Sequence, residues 1–400
     1  MRRSSLSLLT LALGVFGIIT TEMGIVGVLP QLAARLDVST SMAGLLVGSF
    51  AFVVAAFGPF MTLAASRIDR RAVLAAAMAV FAVSNAVYAL TAYFEVMLAF
   101  RIIPALLHPV FFSVALAAAV RLAPASASDP ARAAARVFAG VTVGFAFGVP
   151  VTSYLAGHLT LQAAFWFGAA VNLAAFIGIL CFLPAMPADE RISYRAQLGV
   201  LRSPGMWLSI LSVICVFAAM FSVYGYFAEY LGAVTMMNES WVSAMLLVFG
   251  IVMIFGNFAF AALLRSGVVR TVLAYPVLCL AVFALVFVLG PRFAPMIAVI
   301  ALWAAVHSGG LIVCQTWLGR DARDAPEFGN ALFVSFSNLG ITVGTGVGGW
   351  TLAAFGTRLL PWTGAAFALA AVAAVLARLT LAKRTQVRAG AESTELAPAQ

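Results

Sequence analysis

The sequence predicts an all-α membrane protein, with twelve transmembrane helices in two pseudo-symmetric six-helix halves. Three observations carry that expectation. Of 400 residues, 64% are hydrophobic and only 9% are charged, with a mean hydropathy of +1.08. A soluble domain carries about 25% charged residues, so lipid is the solvent around most of this chain. The apolar residues gather into twelve runs of about 20 residues or slightly more, each able to cross roughly 30 Å of hydrocarbon as a helix. Finally, AGVTVGFAFG at 139–148 and LGITVGTGVG at 339–348 share five residues at a constant offset of 200.

The first run, 6–29, follows MRR. It is too long for a secretory signal and lacks an obvious small-residue cleavage site, so it reads as the first helix. Runs near 42–64, 72–91, 96–120, 135–157 and 162–184 complete an N-terminal half, 1–184. The polar stretch PAMPADERISYRAQLGVLRSP, 184–204, contains a cytoplasmic linker, 185–204. A second half, 205–384, holds runs near 205–231, 241–263, 271–290, 294–317, 329–354 and 359–381. Strands of a β-barrel are shorter and alternate strictly, so the runs are helices. The tail, 385–400, is polar and rich in small residues, and is expected to be disordered and without chemistry.

Charge sets the orientation and excludes several functions. With both termini in the cytoplasm, 19 of the 23 Lys and Arg fall on the inner side, Arg35, Arg292 and Arg358 fall outside, and Arg101 lies within a span. This follows the positive-inside rule, so the formal +9 reads as topology and implies no nucleic-acid partner. The four cysteines, Cys181, Cys215, Cys279 and Cys314, all fall in predicted helices and read as free core thiols, without disulfide or metal. There is no phosphate-binding loop and no G-x-S-x-G nucleophile motif. No enzyme, cofactor or metal is implied.

The matched glycines, Gly140, Gly144 and Gly148 against Gly340, Gly344 and Gly348, occupy the fifth span of each half. Glycine at every fourth position lets two helix backbones approach closely. Pro150 follows the first set. His108 and His307 form a second echo at an offset of 199, in the fourth spans of the two halves. Two halves related by a parallel repeat place a solute site near midplane between them.

Several motifs resemble the major facilitator superfamily over roughly 6–384, in particular its bacterial drug and sugar efflux branch of arabinose-efflux-like and chloramphenicol-export-like permeases. LALGVFGIITTEMGIVGVLPQLA is similar to that branch's opening helix, ASRIDRRAVL at 65–74 to its loop motif, RIIPALLHPVFF at 101–112 to its fourth-span motif, and GVTVGFAFGVP at 140–150 to the glycine-rich motif of antiporters. Ala65, Ala72, Ala105 and Pro109 stand where the family usually or often has Gly. The resemblance implies alternating access by a functional monomer in the bacterial inner membrane, with protons exchanged for a small organic solute. An uptake symporter or uncoupled facilitator of the same fold is the alternative within transport; a receptor without net transport is the alternative outside it.

Within that frame the intramembrane charges stand out. An acid inside a span costs roughly 2.5–3.5 kcal/mol on insertion scales and faces a cavity or a partner. Glu22 is therefore the expected proton-coupling residue. Arg101 lies at similar depth in the fourth span and is expected to approach Glu22, with His108 seven residues on along the same face, and both join Glu22 as candidates for proton coupling or substrate contact. Secondary cavity candidates are Glu229, expected to reach water at the outer end of the seventh span, and His307, Gln315 and Asn338. Phe16, Tyr224, Tyr226, Phe227 and Trp303 are candidates for an apolar pocket wall. Asp69, Arg70 and Arg71 are expected, from the resemblance, to form a conformational latch that pairs with the facing half.

Overall fold

The computed structural model describes residues 2–65, 68–122, 130–186, 199–323 and 326–395. Every regular element among them is helical, and twelve helices or helical runs are long and apolar enough to cross a membrane. The chain starts with α1 (Arg2–Gly24), a 3-10 turn (Ile25–Val28) and α2 (Leu29–Arg35), which together form the first span. Helices α3 (Thr40–Ala65), α4 (Arg70–Leu90) and α5 (Phe94–Leu122) follow. The fifth span is α6 (Pro130–Val143), a π turn (Gly144–Gly148) and α7 (Val149–His158), and the sixth is α8 (Leu161–Phe182). In the second half come α9 (Pro204–Tyr224), α10 (Phe227–Ala233), α11 (Glu239–Ser266), α12 (Val268–Leu289), α13 (Phe293–Asp321), α14 (Pro326–Phe355) and α15 (Leu360–Glu395).

Two boundaries differ from expectation. The first span runs past 29 to Arg35, because the 3-10 turn carries the chain into α2, where Pro30 fits the first helical turn. Arg35 is thereby tied to the bundle, donating to the Ala89 carbonyl at 2.8 Å at the end of α4. The last helix continues to Glu395 where a disordered tail was expected. Its final stretch, 385–395, mixes Ala, Arg, Gln and Glu, which favour a helix, with weaker formers, and Pro first appears at 398. Most of the expected linker, residues 187–198, lies outside the described residues. All four cysteines are free; Cys181 is exposed rather than in the core, and the other three are buried.

In the first half α1 packs on α6 and α8, α4 on α8, and α3 on α5. In the second half α9 packs on α14 and α15, and α11 and α12 pack on α13. The halves meet where α3 lies along α14 and α7 along α11. The glycine motif makes the same joint twice. A Cβ at Gly340 would stand 2.6 Å from the Ile214 carbonyl oxygen and 2.7 Å from Phe217 Cβ; at Gly140 the corresponding neighbours are the Ala12 carbonyl and Val15 Cβ. Gly144 and Gly344 likewise face the carbonyls of Phe16 and Ala218. The partner residues differ by a constant 202, so α9 superposes on α1 with Tyr224 at the position of Glu22.

Candidate transport site

The α1 helix ends at Gly24, two residues after Glu22, and a change to 3-10 winding leaves carbonyls of the last α turn in need of other donors. Arg101, fully buried on α5, supplies them. Its Nη1 donates to the Thr21 carbonyl at 2.9 Å, Nη2 to the Glu22 carbonyl at 3.1 Å and Nε to the Leu46 carbonyl on α3 at 3.1 Å. The guanidinium carbon lies 4.6 Å from the Phe50 ring centre, a cation–π contact. Arg101 therefore approaches Glu22 as expected, but through its backbone and not its carboxylate.

The carboxylate turns to His108 instead. Glu22 Oε2 stands 3.1 Å from His108 Nε2, an ion pair when the ring is protonated. Glu22 is 5% exposed and His108 8%, so both are withdrawn from solvent and lipid alike. Pro104 and Pro109 flank this segment of α5. Phe50 meets the His108 ring edge-on at 5.6 Å and Phe112 lies at 4.6 Å. Neither ring nitrogen of His108 has a hydrogen-bond partner, so the contact of Nε2 with Glu22 is one of charge at close range, and Nδ1 stays available to a further group.

Behind Glu22 lies a neutral polar core. Thr21 Oγ1 accepts from Asn85 Nδ2 at 2.8 Å and Asn172 Nδ2 at 3.0 Å, binding α1 to α4 and α8. A cavity of about 10 Å³ bordered by Thr20, Asn85 and Thr152 lies alongside, the size of a single water. An isolated Asn in an apolar run is the signal that would have marked both asparagines.

The secondary candidates divide. His307 is buried on α13, with Nδ1 unpartnered, among Tyr224, Phe249 and Phe221, whose ring centres lie at 4.7, 5.3 and 5.8 Å. Asn338 donates to the Val334 carbonyl of its own helix, which leaves Oδ1 free. Gln315 is exposed and bonds Asn330 at 2.9 Å, away from Glu22's partners. Glu229 is not simply directed to water; it accepts from Thr40 Oγ1 across the halves at 3.3 Å, because the break after Tyr224 turns α10 over the interface.

Both halves are joined at the end of the bundle away from the chain termini. Besides Thr40–Glu229, Ser41 Oγ donates to the Gly349 carbonyl at 2.7 Å and Thr342 Oγ1 to the Gly48 carbonyl at 3.2 Å. Ser153 and Ser243 hydroxyls meet at 2.9 Å, and His158 Nε2 meets Ser240 Oγ at 3.0 Å. At the other end, Asp69 caps α4 through Ala72 N–H at 3.0 Å, and its second oxygen accepts from Met186 N–H at 3.0 Å. Arg71 donates to the Leu180 carbonyl, and the Arg70 amide to the Met186 carbonyl at 3.0 Å. These bonds stay within the first half and clasp the loop to the end of its own sixth span; the latch expected between the halves is not among them.

Twelve spans, a duplicated glycine joint and a buried acid at the break of the first helix define the fold of a membrane transporter built from two halves. The chain belongs to the Major Facilitator Superfamily, whose family model matches residues 11–326. It is 29% identical over 360 residues to the inner membrane transport protein YdhP of Escherichia coli K12, covering 90% of this chain and 92% of that one. Among solved structures it resembles the nucleoside transporter NupG, with a TM-score of 0.75 at 14% identity over 96% of this chain and all of that one. A bacterial homologue of the human lysosomal transporter Spinster, in an inward-facing, occupied conformation, matches with a TM-score of 0.71 at 17% identity, over 96% of this chain and 98% of that one.

Proposed function

We propose that this transporter is a proton-coupled exporter of a small organic solute, resident as a monomer in the bacterial inner membrane with both termini in the cytoplasm. The observation that carries the reading is the Glu22–His108 pair, a buried carboxylate 3.1 Å from an imidazole beside a break in the first span. Burial disfavours the charged carboxylate and a cationic neighbour favours it. A site that opens alternately to each side changes that balance, so the pair takes up a proton on one face and releases it on the other. Arg101 holds the broken helix so that the carboxylate points at His108. Resemblance to the efflux branch, and the glycine-rich GVTVGFAFGVP segment in particular, supports export over uptake. Asp69, Arg70 and Arg71 act as a latch by exchanging their present partners in the first half for the facing half when the cytoplasmic side shuts.

Proton movement in inverted vesicles with an acidified interior tests this. Addition of the transported solute releases protons from vesicles carrying the wild type, and Glu22→Gln abolishes that release while the protein remains folded and inserted. Release that persists in Glu22→Gln moves coupling elsewhere, and counterflow without any proton movement identifies a facilitator.

A further inference from the structure

The two halves carry the same three-residue arrangement with different chemistry. In the first half His108 meets Glu22, at 3.1 Å, and the edge of Phe50, at 5.6 Å with planes at 86°. In the second half His307 meets Tyr224, at 4.7 Å, and the edge of Phe249, at 5.3 Å with planes at 68°. The glycine joints equate Tyr224 with Glu22. His307 and Phe249 each follow their counterparts by 199 residues. Where one half has an acid beside imidazole, the other has a phenol ring tilted against it at 43°.

Around that phenol the second half is aromatic. Tyr224 also lies 5.0 Å from Phe249 and 5.8 Å from Phe227, and Trp303 lies 5.3 Å from Phe227 and 5.6 Å from Phe249. Toward the first half, Tyr224 is met by Phe145 of the π turn, ring centres 6.5 Å apart. Phe145 belongs to the other half, so rocking of the halves withdraws it and uncovers Tyr224. The exposed wall then offers ring faces and one orphaned polar atom, His307 Nδ1, on a side chain only 4% exposed.

Resting on the transport reading above, we propose that Tyr224, Phe249, Trp303 and His307 form the solute subsite, and that it takes an uncharged planar aromatic or heteroaromatic ring. The ring replaces Phe145 against Tyr224, and a polar atom on its edge bonds His307 Nδ1. Stacking in an offset or edge geometry rewards a flat π surface, whereas a saccharide would leave its hydroxyls unpaired among rings. Among the described residues no carboxylate is found as a partner of these rings, so a cation there would find ring faces but no compensating charge against its desolvation. The two halves thus divide the work, with the proton on Glu22–His108 and the solute on Tyr224–His307.

Binding to the purified full chain in nanodiscs at neutral pH tests this, read as quenching of tryptophan emission by coumarin, quinoline and indole. At least one ring is expected to quench saturably, with a reduced amplitude in Trp303→Phe. Affinity falls about tenfold in Tyr224→Leu and returns in Tyr224→Phe, which keeps the ring. In His307→Phe, which keeps the packing but removes the nitrogens, it falls about fivefold. Saturable binding by none of the three rings, equal affinity in Tyr224→Leu, displacement by methyl glucoside, or tighter binding of the cation ethidium each overturns the assignment. Ring binding with this variant pattern but no solute-driven proton release leaves the subsite standing and removes the coupling reading. Proton release driven by sugars alone does the reverse.

Discussion

Arg101 shows how a single side chain converts a weak point into a fixed one. Its three nitrogens serve three carbonyls, two on the broken first span and one on α3. A lysine offers one compact ammonium in place of that planar fork. Arg101→Lys is therefore expected to behave like Arg101→Ala, losing about 3 kcal/mol of stability as carbonyls are left without donors. Thermal unfolding in detergent measures this, and a lysine variant as stable as the wild type would assign the role to charge alone. Glu22, Arg101 and His108 were all legible in the sequence, because ionisable residues in apolar runs stand out. Which of them pair was not legible, since Arg101 and His108 share one face of α5 and either suits an acid. The choice depends on where α1 stops being α-helical, and no residue type in GIVGVLP dictates a 3-10 turn there.

At the scale of elements, the glycine ladders set helix against helix at backbone contact. A Cβ at Gly344 would meet the Ala218 carbonyl oxygen at 2.6 Å and its Cα at 2.8 Å, and neither can move without moving α9. Gly346, one turn-face away, has nothing within 4 Å. Gly344→Leu should lose about 3 kcal/mol or fail to insert stably, while Gly346→Ala should fall within about 0.5 kcal/mol of wild type. Comparison of the two melting temperatures separates close packing from a general preference for glycine. The helices themselves were legible from hydropathy, and their ends were less so. By charge Arg35 marks the outer end of the first span, and in the fold it is the donor that closes the end of α4. The polarity and small residues of the tail point to disorder, but they say little about a helix that is already nucleated and needs only residues tolerant of its continuation.

For the whole molecule, the seam at the end away from the termini defines the conformation. Ser153 and Ser243, from opposite halves, have hydroxyls 2.9 Å apart, within the reach of a disulfide. Oxidation of a Ser153→Cys/Ser243→Cys variant is expected to join the halves, detected as a linked peptide by mass spectrometry, and to reduce transport at least tenfold until reductant is added, as expected if this seam must part in each cycle. Unimpaired transport in the linked form would mean that the seam does not open during turnover. The two-half plan was readable from one repeated motif, whereas the seam was not, because Ser41, Thr342 and Ser153 resemble ordinary packing residues until the halves are set against each other.

The paired glycine joints have a mechanical consequence. With α1 seated on α6, and α9 on α14, at backbone distance, neither half has slack in which to absorb a local push. A force applied at one ring or one carboxylate must be carried to the seam, much as a stiff lever passes a small load at one arm to its far end. Stiffness is then as much a part of transport as motion, and each half moves usefully because so little inside it can yield.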